Sequence, residues 1–188
     1  MIEKPMDRRV RRTRRIIREA LLALILEKPV EKVTTTELCA RADINRNTFY
    51  AHYPTPEAVL HEVEDEMLAE MEELLGTATE GEGVTEPILA HIAHRADTYR
   101  VLWRSPNSRL SERQIDLAMA RVTSLWGDEL PRGRDEVELF LRFAISGNFA
   151  VVRAWLEDGC RQPVGELCDM LDKFVAYGRR GLEADTRR

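Results

Sequence analysis

Along almost the whole chain, apolar residues recur at steps of three and four, and strict apolar–polar alternation never persists. That spacing is the period of an α-helix and leaves no candidate for a half-buried strand. The chain therefore reads as all-α. Its 188 residues allow one large domain or two small ones, and a hydrophobic fraction of 44% supplies a core, which excludes a disordered tail protein. No apolar stretch is read as reaching the roughly 18 residues of a bilayer span, and a membrane protein is not expected. Behind its charges the N-terminal segment has no apolar run of its own, so a secretory leader is not expected and the protein is assigned to the cytoplasm. Cys39, Cys160 and Cys168 are too few and too scattered for a disulfide framework or a zinc ribbon, so reduced thiols, no metal and no cofactor are expected.

Charge is unevenly distributed. Residues 1–55 carry 12 Lys+Arg against 7 Asp+Glu, and residues 56–188 carry 16 against 26, so a basic head precedes an acidic body. Such a chain can lay its head on a polyanion while the body is repelled. Eight positive charges fall between Lys4 and Arg18, as a nucleic-acid-binding arm or a solvated tail; composition alone does not choose.

Eight helices are predicted. The first spans about Thr13 to Glu27 before Pro29; a second starts near Thr34, with Thr34 and Glu37 in capping-box spacing; a third opens at Asn45 and ends near His52. Thr55 and Pro56 begin a long fourth, with Leu60, Val63, Met67, Met71 and Leu74 as its stripe and Glu62, Glu64, Asp65, Glu66, Glu70 and Glu73 as its acidic side. The fifth starts at Pro87 and runs to Trp103, the sixth ends at Gly127, and Asp135–Asp158 and Pro163–Glu183 form a closing antiparallel hairpin.

Residues 34–53, TTTELCARADINRNTFYAHY, have the arithmetic of a helix-turn-helix: two short helices around a three-residue corner. Leu38, Ala42, Ile44 and Phe49 are what such crossing helices bury. Asn45, Arg46, Asn47, Thr48, Tyr50 and His52 then face outward, and each can hydrogen-bond. A short helix anchored inward and polar outward fits a DNA major groove, with Arg46 as the natural reader of guanine. Thr35 and Thr36, at the amide end of the second helix, offer an anion site through its dipole.

From Thr13 to about Leu60 the chain resembles the TetR/AcrR family of bacterial transcriptional regulators. Asn45-Arg46-Asn47-Thr48-Phe49-Tyr50-Ala51-His52-Tyr53 is similar to the recognition helix of the branch containing activators of dihydroxyacetone metabolism. The resemblance implies a DNA-binding domain over residues 1–55 and a helical ligand-binding and dimerisation domain over 56–188. It implies a homodimer that binds a palindromic double-stranded operator under control of a small-molecule effector. It puts Thr35, Asn45–Thr48, Tyr50 and His52 at DNA, packs Phe49 and Tyr53 inside the head, and sends the basic arm toward the neighbouring groove. Two positions depart from the family pattern. Asp43 replaces a corner glycine, and Pro56 stands where a phosphate-contacting lysine is common. One further helix, for the family's usual nine, is expected within Ser105–Arg134. By the same resemblance the last two helices would pair with their copies, and Phe143, Gly147, Val151, Trp155, Leu167, Leu171, Phe174 and Gly178 have suitable periodicity for that interface.

Several features admit plainer readings. His91 and His94 near Asp97 lack the closed ligand set that zinc prefers. Aromatics at helical spacing are ordinarily core, so an effector pocket lined by Tyr99, Trp103, Met119, Trp126 and Phe140 rests on the resemblance. The acidic side of the fourth helix reads as a solvated face. No Gly-x-Ser-x-Gly, phosphate-binding glycine loop or His-Glu-x-x-His occurs, which speaks against an enzyme. The rival to a regulator is a protein-interaction adaptor that keeps the fold but binds DNA weakly.

Overall fold

The computed structural model describes residues 5–76, 85–105, 108–126 and 134–185, and among them are nine α-helices and no strand. They form two compact units: Met1–Met67 with Val101–Arg109, and Leu68–Arg100 with Leu110–Arg188.

The first unit holds α1 (Pro5–Ile25), α2 (Thr35–Ala42), α3 (Arg46–Tyr50) and the first part of α4 (Pro56–Gly76). α1 begins eight residues before the predicted Thr13, so the basic arm is itself helical. Pro5 suits a first helical position, where its missing N–H costs nothing, and arginine is a good helix former. The arm has too few apolar residues to display a period, which hid this from the pattern. A short 3-10 turn, Val30–Lys32, also went unpredicted; it buries Val30. Ile17, Leu21, Leu38, Phe49 and Leu60 make the centre of the core, each essentially inaccessible to water and each contributing on the order of 1.5–3 kcal/mol.

In the second unit, the rest of α4 is joined by α5 (Thr85–His94), α6 (Ala96–Arg104) up to Arg100, α7 (Leu110–Trp126), α8 (Arg134–Glu157) and α9 (Val164–Asp185). The ninth helix comes from a break at Arg95, not from the expected Ser105–Arg134 region, whose described residues form one helix and of which residues 106–107 and 127–133 lie outside the description. Arg95 N–H still donates to His91 O (3.2 Å) and Tyr99 N–H to Arg95 O (3.1 Å), so the apolar stripe crosses the break and reads as one helix. α8 ends through Gly159 (φ 83°) and Cys160 (φ 56°), the left-handed residues that let the chain reverse. Antiparallel to it, α9 brings Gly178 against the ring of Phe140, where a Cβ would collide with the ring. Two arginines finish neighbouring helices: Arg100 Nε donates to Leu156 O at the end of α8 (2.7 Å) and Arg121 Nε to Leu75 O at the end of α4 (2.9 Å). Cations there satisfy orphan carbonyls and complement the helix dipole.

α8 also corrects the expectation about apolar stretches. Glu136–Glu157 is long and apolar enough, by length and composition, to cross a bilayer, a property that core helices of soluble proteins share. Arg142 and Arg153 lie within it and form ion pairs with Glu138 and Glu157.

A polar cluster lies inside the second unit. Gln114 Nε2 donates to the buried Tyr99 hydroxyl (3.3 Å), and the Tyr99 ring meets His91 edge-on at 6.0 Å. His91 Nε2 is 3.5 Å from Glu70, whose other oxygen pairs with Arg95 at 3.0 Å. Burial lowers the His91 pKa; Glu70 opposes this only in part, while Arg95 and His94 add to it. The folded protein therefore keeps His91 neutral where the unfolded chain, near 6.5, begins to bind a proton. This contribution to stability is complete above that value and is lost as pH falls below it. Melting temperature should accordingly drop between pH 8 and pH 5.5, and drop less in His91→Gln; equal slopes for the two proteins would remove His91 from the account.

Candidate nucleic-acid interface

The helix-turn-helix is assembled by local hydrogen bonds. Thr34 Oγ1 accepts from Glu37 N–H (3.2 Å) while the Glu37 carboxylate accepts from Thr34 N–H (3.0 Å), closing the predicted capping box at the start of α2. Lys28 also pairs with Glu37, and Lys28 together with Thr34 holds that carboxyl down to about 2. Asp43 ends α2 in the left-handed conformation (φ 52°, ψ 48°) that the corner requires and that Asp adopts more readily than most residues. Asn45 Oδ1 then accepts from Thr48 N–H at 2.8 Å, capping α3. Phe49 is fully buried, with the rings of Tyr50 and Tyr53 at 5.5 and 6.2 Å.

These bonds sort the outward residues. Arg46, Asn47 and Tyr50 are exposed on α3, and Thr36 is exposed on α2, where its hydroxyl accepts a hydrogen bond from Arg46. Asn45 is exposed too, although its side-chain oxygen is engaged by the cap. Thr35, Thr48 and His52 are half-buried, and His52 lies in the turn after α3. Pro56 is buried as the first residue of α4, one residue after Thr55, whose hydroxyl accepts from Ala58 N–H (3.3 Å).

Only part of the acidic side of α4 is the solvated face that the sequence suggested: Asp65 and Glu73 are exposed, whereas Glu62, Glu64, Glu66 and Glu70 are not. Glu62 accepts from Arg18 Nε (2.9 Å) and from the Tyr53 hydroxyl (2.7 Å), and pairs with Arg14 (3.2 Å). Arg18 reaches Glu66 as well, and the Arg14 guanidinium lies over the Tyr53 ring, 5.4 Å from its centroid. Glu64 is buried and accepts from Arg109 N–H (3.2 Å). Two positive residues on α1 thus bind α4. Arg14 and Arg18, like Glu62 and Glu66, are one helical turn apart, a spacing that lets the two pairs meet but does not by itself reveal that they do. Burial alone would raise the Glu62 pKa, yet hydrogen bonds from Arg18 and Tyr53, with the charge of Arg14, carry it below its ordinary 4.5.

On a helix, Arg8, Arg11, Arg12 and Arg15 fall within an arc of about 100°, roughly opposite Ile17, Leu21 and Leu24. The basic segment is thus a helix with one arginine-rich face.

Residues expected at an effector pocket are dispersed. Tyr99 is buried and Met119 and Phe140 half-buried in the second unit, whereas Trp103 is buried and belongs to the first. The Trp126 side chain lies outside the described residues. Of the expected interface residues, Trp155, Leu167 and Leu171 are buried within the second unit itself, where the Trp155 indole donates to Gln162 O (2.9 Å), so they are core rather than contact surface. Gly178 receives Phe140, while Gly147 and Val151 are half-buried. Phe143 (77% exposed) and Phe174 (58%) do face outward, beside two residues that periodicity did not select, Leu139 (68%) and Tyr177 (65%). The thiol of Cys168 is pushed up to about 11 by burial and by Asp172, and that of the buried Cys39 is also raised, chiefly by burial, which disfavours thiolate at both. Asp97, near His91 and His94, pairs with Arg100 (2.7 Å), and among the described residues no group of three or more His, Cys, Asp or Glu is placed to hold a metal.

This arrangement is that of a helix-turn-helix transcription factor. Residues 17–63 match the family model for bacterial regulatory proteins of the tetR family, and residues 80–177 match one for a transcriptional regulator C-terminal region. The chain belongs to the TetR family of DNA-binding transcriptional regulators. Over 70 residues it is 36% identical to the uncharacterized HTH-type transcriptional regulator YxbF of Bacillus subtilis (strain 168), a match over 37% of this chain that spans only 18% of that relative's length. Its fold is similar to that of a TetR transcriptional regulator from Streptococcus agalactiae 2603V (TM-score 0.64, 20% identity, 90% of this chain and 97% of that one). It is also similar in fold to the dihydroxyacetone kinase operon activator DhaS (TM-score 0.58, 14% identity, 88% and 94%).

Glu62→Gln should destabilise the first unit by roughly 1–3 kcal/mol, less than the 3–5 of a fully buried broken pair because Glu62 is partly solvated. The depressed Glu62 pKa makes its contribution complete above about 4.5 and lost as pH falls below that value. Acid unfolding followed by circular dichroism should therefore begin at higher pH in the wild type than its neutral-pH margin over Glu62→Gln predicts. A margin that stays constant down to pH 3 would dismiss the network.

Proposed function

We propose that this protein is a homodimeric, ligand-responsive transcriptional regulator of the cytoplasm, whose two heads read the half-sites of a palindromic operator. The observation that carries the reading is the outer side of α3. Arg46, Asn47 and Tyr50 are exposed there on a helix held from beneath by Phe49. In the same unit the arginine face of α1 supplies charge for phosphates, so base reading and backbone contact divide between two helices. Residues 1–55 act as the reading head and 56–188 as the regulatory body.

Leu139 and Phe143 on α8 and Phe174 and Tyr177 on α9 are too apolar and too exposed for a face left in water. A second copy of the chain covers them, since a two-fold dimer presents the same face to itself and matches a palindrome. Effector binding in the second unit, where Tyr99, Met119 and Phe140 lie, shifts the population between DNA-competent and DNA-incompetent dimers.

Selection of bound duplexes from genomic intergenic DNA at two salt concentrations tests this directly. A recovered palindrome with steep salt dependence is the expected result; weak, sequence-blind binding would instead favour an adaptor that works through protein partners. On the recovered site, Arg46→Ala should cost about 1–3 kcal/mol and relax preference at one base pair. Arg8→Ala and Arg12→Ala should each reduce the salt slope by about one, whereas Arg18→Ala, already engaged by Glu62 and Glu66, should leave it nearly unchanged. Replacing Phe143 and Phe174 together by glutamate should convert a dimer to a monomer in sedimentation without loss of helicity. A double variant that remains dimeric would assign the interface elsewhere.

A further inference from the structure

We propose that Thr36 is a positioning residue that holds the Arg46 guanidinium ready to read a base edge. The inference rests on the regulator reading of α3 and deepens it. Arg46 Nη2 donates to Thr36 Oγ1 across the corner between α2 and α3. One of the five guanidinium N–H donors is thereby used, and the others stay available for the paired acceptors O6 and N7 of guanine. Because Thr36 accepts from Arg46, its own O–H can still donate to a phosphate oxygen. One hydroxyl then links a backbone contact to a base contact, so that the register of the head on the phosphates sets the angle at which Arg46 meets the bases.

Two further observations argue that the pairing serves recognition rather than folding. Both residues are exposed, outside the core. The pairing also brings a cation to the amide end of α2, which carries partial positive charge and disfavours it. The nearby carboxylate of Glu37 does not offset this, being taken by Lys28 and Thr34. The Arg46 charge also bears on the Cys39 thiol, one turn further along α2, in agreement with a guanidinium lying along that helix.

The test uses the full chain as wild type, Thr36→Val and Thr36→Ser, on the selected duplex and on its three base substitutions at the position where Arg46→Ala loses preference. Valine keeps the shape of threonine and removes the hydroxyl; serine keeps the hydroxyl. Discrimination at that single position should fall about tenfold in Thr36→Val and be restored in Thr36→Ser, with melting temperatures unchanged. In the free protein, nitrogen NMR of the Arg46 guanidinium should show restrained rotation that Thr36→Val releases. Equal weakening of all four duplexes by Thr36→Val would mark a phosphate contact alone and overturn the proposal, as would a freely rotating Arg46 in the wild type. Absence of any sequence preference in the wild type would overturn the regulator reading and this proposal with it, an outcome distinct from a wild type that discriminates and a valine variant that discriminates equally.

Discussion

The carboxylate of Glu62 is the point on which the first unit turns. It joins Arg14 and Arg18 of α1, the Tyr53 hydroxyl just beyond α3, and α4 itself. Three separately coded segments are thereby held by one side chain, in a place solvated enough to keep charges affordable yet shielded enough to strengthen them. An apolar core alone specifies that helices pack but leaves their sliding and rotation loosely determined. Directional charge-assisted bonds at a partly buried position define the register. The orientation of α3, and so of its outward residues Arg46, Asn47 and Tyr50, depends on that register.

α3 itself has only five helical residues, far below the length at which a helix holds its shape in water. It exists because its ends and its underside are supplied from outside: Asn45 at the start, Phe49 beneath, and the left-handed Asp43 setting the entry direction. This explains a division of labour among its polar residues. Asn45 is committed to structure through its side-chain oxygen, whereas Arg46, Asn47 and Tyr50 face solvent.

Features governed by near neighbours were legible in the sequence. The capping box at Thr34, the cap at Asn45, the strained corner at Asp43 and the buried Phe49 all follow from residue identity within a few positions. Features that depend on distant partners were not. Arg18 and Glu62 are separated by dozens of residues, and each reads locally as an ordinary surface charge. The break at Arg95 was hidden because hydrogen bonding continues across it. Periodicity grouped Trp155, Leu167 and Leu171 with Phe143 and Phe174 on one apolar stripe, but a stripe has breadth. Which part of it meets the unit's own helices is decided only by three-dimensional packing.

The helical state of the basic segment has a thermodynamic side. A disordered basic tail must lose conformational freedom each time it grips a polyanion. In the reading proposed above, the arginines around Arg8 and Arg12 are already arrayed along a preformed rod, so less of their attraction for a duplex would be spent on ordering and more would appear as affinity. That gain would act on every sequence alike, raising the floor of non-specific affinity and leaving discrimination between sequences to α3.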